Sequence, residues 1–230
     1  MNIVEYYLVF KKKYVVKQRR QHEYFANKYY AHIIDPFFTK IAYDLKVSPN
    51  TVTIIAGLSG ILASFSFMMN WLLAGALLLQ FHYILDCVDG NLARLTNRIT
   101  PLGAKLDKIF DQIVRLTLFV SLAYVADVSI PFKILFVMTI YMDLMIVHAY
   151  VLPFYKKCTI VRSRWKEWFL SKGIIPAFDI FFIYILISIF AVLNNIELLI
   201  YVVIIGKNMD WIYRVWECWK SKWMNKEVNM

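Results

Sequence analysis

Six apolar stretches, each long enough to form a helix across a bilayer, constrain the fold of this chain more than any other feature of its sequence. A membrane-spanning helix needs about 17–25 predominantly apolar residues. The predicted spans are 50–69, 71–89, 103–125, 131–152, 174–193 and 196–216. Hydrophobic residues make up 60% of the chain, compared with about 45–50% in a typical soluble domain. The sequence therefore predicts an all-α integral membrane protein with six transmembrane helices.

The segments around these spans complete the predicted organisation. Residues 1–23 form a basic N-terminal arm. Residues 24–46 form an amphipathic helix that lies in the membrane interface and is broken or bent at Pro36. The six spans belong to one domain, 47–217, and residues 218–230 form a cytosolic tail.

Local signals predict where individual spans begin and where the chain turns. Ser48 and Thr100 each precede a proline, which is the typical pattern of an N-cap followed by proline at the first helical position. We therefore expect helices to begin directly after these two residues. Asn70 and Asn194 are expected in tight turns between spans.

The distribution of positive charge predicts the topology. Of the 26 lysine and arginine residues, only Lys133 lies near the first, third and fifth connections between spans. Because cytosolic loops carry the excess of such residues, both termini and the connections 90–108 and 153–173 should face the cytosol in a multi-pass protein of the cell membrane. In a soluble protein, the net charge of +10 would suggest a nucleic-acid partner. Here it indicates attraction to anionic membrane lipid and no nucleic acid.

Four aspartates lie at the cytosolic ends of the second and third spans, in the segment DCVDGNLARLTNRITPLGAKLDKIFD. Asp86 and Asp89 are three residues apart, and Asp107 and Asp111 are four apart, so each pair shares a helix face. Ionised groups are costly near hydrocarbon and mark functional sites. Two facing pairs would form an oxygen cage for two Mg²⁺ or Mn²⁺ ions. Asp111 lies deepest in its span and is the predicted catalytic base.

Small residues and a guanidinium surround these aspartates. Gly90, Ala93 and Gly103 keep the helix surface narrow, so that a ligand or a neighbouring backbone can approach closely. Arg94 adds a guanidinium whose fork geometry suits phosphate. Two metal ions beside such a group indicate a phosphoryl displacement on a diphosphate.

The complete pattern D-x2-D-G-x2-A-R-x8-G-x3-D-x3-D over residues 86–111 resembles the signature of the CDP-alcohol phosphatidyltransferases. The six-span plan extends the similarity over most of residues 24–216, and Pro49-Asn50-x2-Thr53 resembles the family's entry to its first membrane helix.

The resemblance implies an activity and a role for each motif residue. Members transfer a substituted phosphate from a CDP-alcohol, usually CDP-diacylglycerol, to a hydroxyl acceptor and release CMP. They depend on divalent metal ions and are commonly homodimers. The implied metal-site residues, of which the last is also the base, are Asp86, Asp89, Asp107 and Asp111. The residues implied to line the nucleotide are Gly90, Ala93, Arg94 and Gly103.

The sequence constrains the acceptor less than the donor. A phosphorylated polyol, such as glycerol phosphate or inositol phosphate, would need cations, and the candidates are Lys105, Lys156, Arg162, Arg164 and Lys207. These cations are weak evidence, because the topology rule alone would make cytosolic loops basic. Serine or another small alcohol therefore stays open as the acceptor. Asp143 and His148, within the fourth span, either line an acceptor cavity or join a dimer contact.

Two functions of other classes stay open. A cation carrier or channel would also use buried carboxylates, but it predicts acidic residues across the membrane depth and inverted repeats. The four aspartates instead lie on one side of the membrane, and the sequence shows no repeat. A catalytically inactive relative could act as a membrane scaffold, although the complete set of aspartates argues against that role.

Overall fold

Helices form almost all of the structure, which is a computed structural model that describes residues 3–14 and 22–227. The α-helices are α1 (Ile3–Tyr14), α2 (His32–Asp44), α3 (Pro49–Met68), α4 (Leu72–Leu95), α5 (Pro101–Val125), α6 (Ile130–Ile146), α7 (Leu152–Lys157), α8 (Arg164–Ser171), α9 (Ile180–Val192) and α10 (Ile196–Glu227). Two π-helical turns, Asn27–Ala31 and Val147–Val151, precede α2 and follow α6. Strands β1 (Glu23–Tyr24) and β2 (Ile174–Ile175) pair in parallel. The predicted all-α class is therefore confirmed except for this two-residue pairing.

Several helices have the length and composition of membrane spans. Within the described residues, Pro49–Met68, Leu72–Leu95 and the continuous segment Ile130–Lys157 are long and apolar enough to cross a membrane. Helix α9 is apolar but shorter. Helices α5 and α10 are long but contain charged residues along their length. The structure thus supports a membrane protein, and the count of six spans stays a prediction.

The predicted helix starts are confirmed at the first and third spans. The Ser48 hydroxyl accepts a hydrogen bond from the Thr51 backbone N–H at 3.1 Å. The Thr100 hydroxyl accepts one from the Gly103 N–H at 3.0 Å. In both cases proline follows the cap and leaves no N–H without a partner at the first helical position. These caps fix where α3 and α5 begin on the side of the aspartates.

The fifth span begins later than the sequence predicted, and the sixth helix ends later. Residues 174–175 form β2 beside the N-terminal segment, and residues 176–179 have no regular secondary structure. The Asp179 carboxylate accepts a hydrogen bond from the Phe181 N–H at 3.3 Å, so α9 starts at Ile180. Apolar composition predicted helix here because it does not distinguish a buried strand pair from a span. Helix α10 continues to Glu227, past residue 218, where the tail was predicted to begin.

The N-terminal segment packs onto the helices that follow it. The predicted arm, 1–23, lies partly outside the described residues, and the part Ile3–Tyr14 forms α1. The Phe10 and Phe37 rings join α1 to α2, with centroids 5.1 Å apart. Helix α2 continues through Pro36, so the helix is not broken at this residue, and the alternative of a bend there stays a prediction. The irregularity lies upstream instead, where the π-helical turn widens the helix by one residue.

Helix α2 exposes a row of large apolar side chains and buries several polar ones. Large exposed apolar side chains recur every four residues through this segment, at Phe25, Tyr29, Ile33, Phe37, Ile41 and Leu45. The opposite face buries His32, Asp35 and Thr39 where α2 packs against α4. Such an arrangement is expected of a helix that faces lipid, but the interfacial location stays a prediction.

Small residues allow α3 to pack closely against both α4 and α5. A Cβ on Gly57 would lie 2.1 Å from the Phe110 ring of α5. A Cβ on Gly60 would lie 2.6 Å from the methyl groups of Val114 on the same helix. Small residues let helix backbones approach where lipid supplies no hydrophobic driving force. This packing holds the aspartate-bearing ends of α4 and α5 against the start of α3.

Candidate active site

Three of the four predicted aspartates converge from α4 and α5. Asp86, Asp107 and Asp111 each offer one carboxylate oxygen, and these oxygens lie within 4.8 Å of one another. The convergence follows from the predicted spacing, because residues four apart on α5 share the face that turns toward α4. We call these three side chains the carboxylate cluster.

Asp89 is held from a third helix, α3. The Thr53 hydroxyl donates a hydrogen bond to Asp89 Oδ2 at 2.5 Å, and both side chains are buried. The Pro49 carbonyl oxygen lies farther from the same hydroxyl, at 3.2 Å. Asp89 remains within electrostatic range of Asp107 and Asp111, but it is not one of the three clustered residues. Its role as a metal ligand therefore stays a prediction.

The carboxylate cluster fits a hard divalent cation. All three ligand atoms are carboxylate oxygens, the type that Mg²⁺ and Mn²⁺ prefer. Like charges at such separations repel one another strongly where water is scarce. A bound cation would remove that repulsion, so the residues present match the metal that the sequence predicts.

The Arg94 guanidinium lies directly over Gly90. A Cβ on Gly90 would come within 3.3 Å of Arg94 Nη1, so a side chain here would crowd the guanidinium. Arg94 Nη2 donates a hydrogen bond to Asn91 Oδ1 at 2.8 Å. Among the described residues, the buried Arg94 Nε has no hydrogen-bond partner. An unsatisfied guanidinium nitrogen at this place fits an anionic ligand such as a diphosphate.

The other two small motif residues have packing roles that are visible in the structure. A Cβ on Gly103 would lie 2.6 Å from Asn50 Oδ1 on α3, which explains the need for glycine at this position. Ala93 is half-buried on α4. The predicted contact of both residues with a nucleotide stays a prediction.

A cavity of about 220 Å³ shares α5 with the carboxylate cluster, although none of the three aspartates lines it. Its polar lining consists of Tyr24, Arg115, Asp143, His148, Asp179, Lys207 and Arg214. Arg115, the α5 residue in this lining, follows Asp111 by one turn. His148 lies in the π-helical turn Val147–Val151, an irregularity that is frequent at functional sites.

The cations of this cavity differ in how they are neutralised. Lys207 Nζ lies 2.6 Å from Asp143 Oδ2, and Arg214 Nη2 lies 2.8 Å from Asp210 Oδ2. Arg115 Nη1 is buried and has no hydrogen-bond partner in the part of the chain that the structure describes. Arg115 therefore offers the cavity a guanidinium group that can still bind an anion.

Only one of the five predicted acceptor cations, Lys207, lines the cavity. The others are exposed and do not belong to its lining: Lys105, Lys156, Arg162 and Arg164. Their roles stay predictions. Arg115 was not among the predicted residues, although it lies four residues after Asp111, the same spacing that grouped Asp111 with Asp107. It also gave no role to Thr53, whose partner lies 36 residues away.

Comparison with known proteins gives one family match that covers most of the chain. The family model for CDP-alcohol phosphatidyltransferases matches residues 46–215. Among solved structures, phosphatidylinositol phosphate synthase of Mycobacterium tuberculosis, determined with CDP-DAG bound, is similar with a TM-score of 0.56. The match covers 82% of this chain and 94% of that chain at 16% sequence identity, so it shows a shared fold.

Curated relatives match shorter segments. Archaetidylinositol phosphate synthase of Pyrococcus horikoshii is 39% identical over 75 residues, which cover 32% of this chain and 39% of the relative. The protein of the same name from Aeropyrum pernix is 30% identical over 95 residues, 40% of this chain and 47% of the relative. The bifunctional IPC transferase and DIPP synthase of Thermococcus kodakarensis is 39% identical over 79 residues, 34% of this chain and 18% of the relative. The chain thus spans less than half the length of each of these relatives.

Proposed function

We propose, because the chain belongs to the CDP-alcohol phosphatidyltransferase family, that it transfers a substituted phosphate from a CDP-alcohol to a hydroxyl acceptor and releases CMP. The donor is CDP-diacylglycerol or a related liponucleotide. The observation that carries the proposal is the carboxylate cluster of Asp86, Asp107 and Asp111, one turn of α5 before Arg115, whose guanidinium lines the cavity.

The residues suggest how the transfer proceeds. The acceptor oxygen attacks the phosphorus that carries the lipid alcohol, and the bond from that phosphorus to the oxygen of CMP breaks. Asp111 takes the proton from the attacking hydroxyl, because it lies one turn from the cavity residue Arg115 on α5. Arg94 binds the phosphates of the donor, where Gly90 leaves room beside its guanidinium.

Two divalent cations are part of this proposal. When bound, Mg²⁺ or Mn²⁺ supplies charge neutralisation for the attacking and leaving oxygens of a phosphoryl displacement. The residues that would hold the two ions are Asp86, Asp89, Asp107 and Asp111. Three of them already bring their oxygens within 4.8 Å of one another.

The proposed acceptor is a phosphorylated polyol, such as inositol phosphate or glycerol phosphate. Arg115 supports this choice, because its buried Nη1 lacks a partner among the described residues. Two archaeal relatives are named archaetidylinositol phosphate synthase, and an inositol phosphate headgroup in the product of such an enzyme points the same way. Serine stays the alternative acceptor for the same chemistry.

The proposed setting is the cell membrane. Six spans, cytosolic termini and a cytosol-facing active site are supported by the distribution of lysine and arginine. The exposed apolar face of α2 supports an interfacial location for residues 24–46. A homodimer is also proposed, on the basis of the family resemblance.

The decisive experiment measures CMP release by the purified protein in detergent. Ester-linked CDP-diacylglycerol and ether-linked CDP-dialkylglycerol are each offered with Mg²⁺ or Mn²⁺. Inositol phosphate, glycerol phosphate, inositol and serine are tested separately as acceptors. We expect metal-dependent CMP release with a phosphorylated polyol and loss of turnover in Asp107→Asn. Full turnover of Asp107→Asn, or no CMP with any acceptor, would contradict the proposal. Cation flux through liposomes without nucleotide would support a carrier instead.

A further inference from the structure

A chain of buried polar side chains joins α2 to the motif arginine on α4. His32 Nδ1 lies 2.6 Å from Asp35 Oδ2, and the same oxygen accepts a hydrogen bond from Asn91 Nδ2 at 3.1 Å. Asn91 Oδ1 in turn accepts from Arg94 Nη2 at 2.8 Å. Farther along, His32 Nε2 lies 3.7 Å from a carboxylate oxygen of Glu23 in β1. The chain thus runs from the β1–β2 pair to the guanidinium over Gly90.

Burial makes this arrangement costly to disturb. Asp35 and Asn91 are fully inaccessible to solvent, and His32 is 3% exposed. Buried polar groups that lose their partner retain the full cost of their desolvation. The two helices therefore favour the geometry in which Asp35 and Asn91 remain bonded to each other.

The two hydrogen-bond partners of Asn91, Asp35 and Arg94, fix the orientation of its side-chain amide. Only the amide nitrogen can donate to the Asp35 carboxylate, and only the amide oxygen can accept from the Arg94 guanidinium. Without Asp35, the amide could rotate and turn its NH₂ group toward Arg94, which places donor against donor. Asp35 therefore determines which atom of Asn91 faces the motif arginine.

We infer that Asp35 and Asn91 are positioning residues that hold the Arg94 guanidinium in place for the phosphates of the CDP-alcohol. Asp35 lies outside residues 46–215, the part of the chain that the family model matches. Helix α2 is thus part of the proposed donor site and not only an attachment to the membrane surface. This inference rests on the proposed function, because it assigns the donor phosphates to Arg94.

Direct binding of CDP tests the inference without turnover. Isothermal titration of CDP in the presence of Mg²⁺ compares the full-length protein with Asn91→Ala and Asp35→Ala. We expect each variant to bind CDP about tenfold more weakly, which corresponds to about 1.4 kcal/mol. The KM for the acceptor should not change. Asp35→Asn, which retains an oxygen to accept from Asn91, should bind CDP nearly as well as the parent protein.

A matched control and a double variant separate positioning from general packing. Thr39 lies one turn after Asp35, is equally buried, and its hydroxyl has no hydrogen-bond partner among the described residues. Thr39→Val should therefore leave CDP affinity unchanged. In the Arg94→Ala background, Asn91→Ala should cause no further loss, because the group that it positions is absent.

The outcomes distinguish failure of the inference from failure of the proposed function. If the parent protein binds no CDP and releases no CMP, the proposed function itself is wrong. If the parent protein binds CDP and Asn91→Ala binds it equally well, the positioning role is wrong. An additional loss from Asn91→Ala in the Arg94→Ala background would also overturn it. Should Asp35→Ala fail to fold, the Asn91 and Asp35→Asn measurements decide alone.

Discussion

Removal of the Thr53 hydroxyl should weaken metal binding, since this hydroxyl orients Asp89. The perturbation is Thr53→Val, which keeps the shape of the side chain and deletes the donor. Thr53 Oγ1 lies 2.5 Å from Asp89 Oδ2, whereas its other neighbour, the Pro49 carbonyl oxygen, lies 3.2 Å away. Both Thr53 and Asp89 are less than a tenth exposed, so water cannot replace the lost donor.

The expected magnitude follows from the charge and burial of the acceptor. A hydrogen bond to a charged group contributes about 1.5–3 kcal/mol. If that energy is lost from the orientation of Asp89 for metal, affinity falls by about 10- to 100-fold, the range seen when groups that orient metal ligands are removed. We expect the turnover number at saturating metal to change much less than the metal concentration at half-maximal activity.

Two measurements on three variants test this reasoning. Mn²⁺ binding is followed by electron paramagnetic resonance, and CMP release is titrated with Mn²⁺. Thr53→Ser retains the hydroxyl and should bind metal like the parent protein. Ser59→Ala removes a buried hydroxyl from the same helix that donates only to its own helix, at the Ile55 carbonyl, and should have no effect. Equal Mn²⁺ affinity of Thr53→Val and the parent protein would refute the role assigned to Thr53.

The packing and the cavity give three further predictions. Gly57→Ala would place a Cβ 2.1 Å from the Phe110 ring, and we expect thermal unfolding in detergent to show a loss of about 1–3 kcal/mol. Arg115→Gln should raise the KM for inositol phosphate by about tenfold and leave the KM for the CDP-alcohol unchanged in the CMP-release assay. Lys207→Met leaves Asp143 without its ion-pair partner and should cost about 3 kcal/mol in the unfolding assay. Addition of Asp143→Leu should recover most of that loss.

The pairing of Asp107 with Asp111 could be predicted because it depends on helix periodicity, whereas the separation of Asp89 from the carboxylate cluster could not. Spacings of three and four residues place side chains on one helix face in any helix. Capping is equally local, and Ser48 and Thr100 therefore begin their helices as predicted. Asn70 and Asn194 adopt positive φ angles of 58° and 52°, as expected for the turns in which they were predicted.

The residues that bind the acceptor could not be predicted, because the topology rule makes cytosolic connections basic in any case. Cytosolic connections are basic whether or not they bind a ligand, so Lys156 and Arg162 gave no signal that separates a loop charge from a binding residue. Lys166, in the same connection, is buried against Glu217 with 2.5 Å between Nζ and Oε2. Neighbouring cations of one segment thus have unrelated environments, and only the fold distinguishes them.

Long-range partners were also invisible to sequence periodicity. The hydrogen bond from Thr53 to Asp89 links residues 36 positions apart, and the one from Asn91 to Asp35 links residues 56 apart. Periodicity predicts which side chains share a helix face, but not which face of another helix lies opposite. The packing of α4 against α3 and α2 supplies that missing information.

The contrast between lipid and water as surroundings explains why the buried polar residues of this chain indicate its function better than the exposed apolar ones. In water, apolar burial drives folding and an exposed apolar row would mark a binding surface. The row from Phe25 to Leu45 on the N-terminal segment carries no such meaning if it faces lipid. Lipid offers no hydrogen bonds, so polar groups must find partners inside the protein. His32, Asp35 and Asn91 do so in one connected chain that ends at Arg94, and a residue of α2 can thereby orient a guanidinium of the proposed donor site.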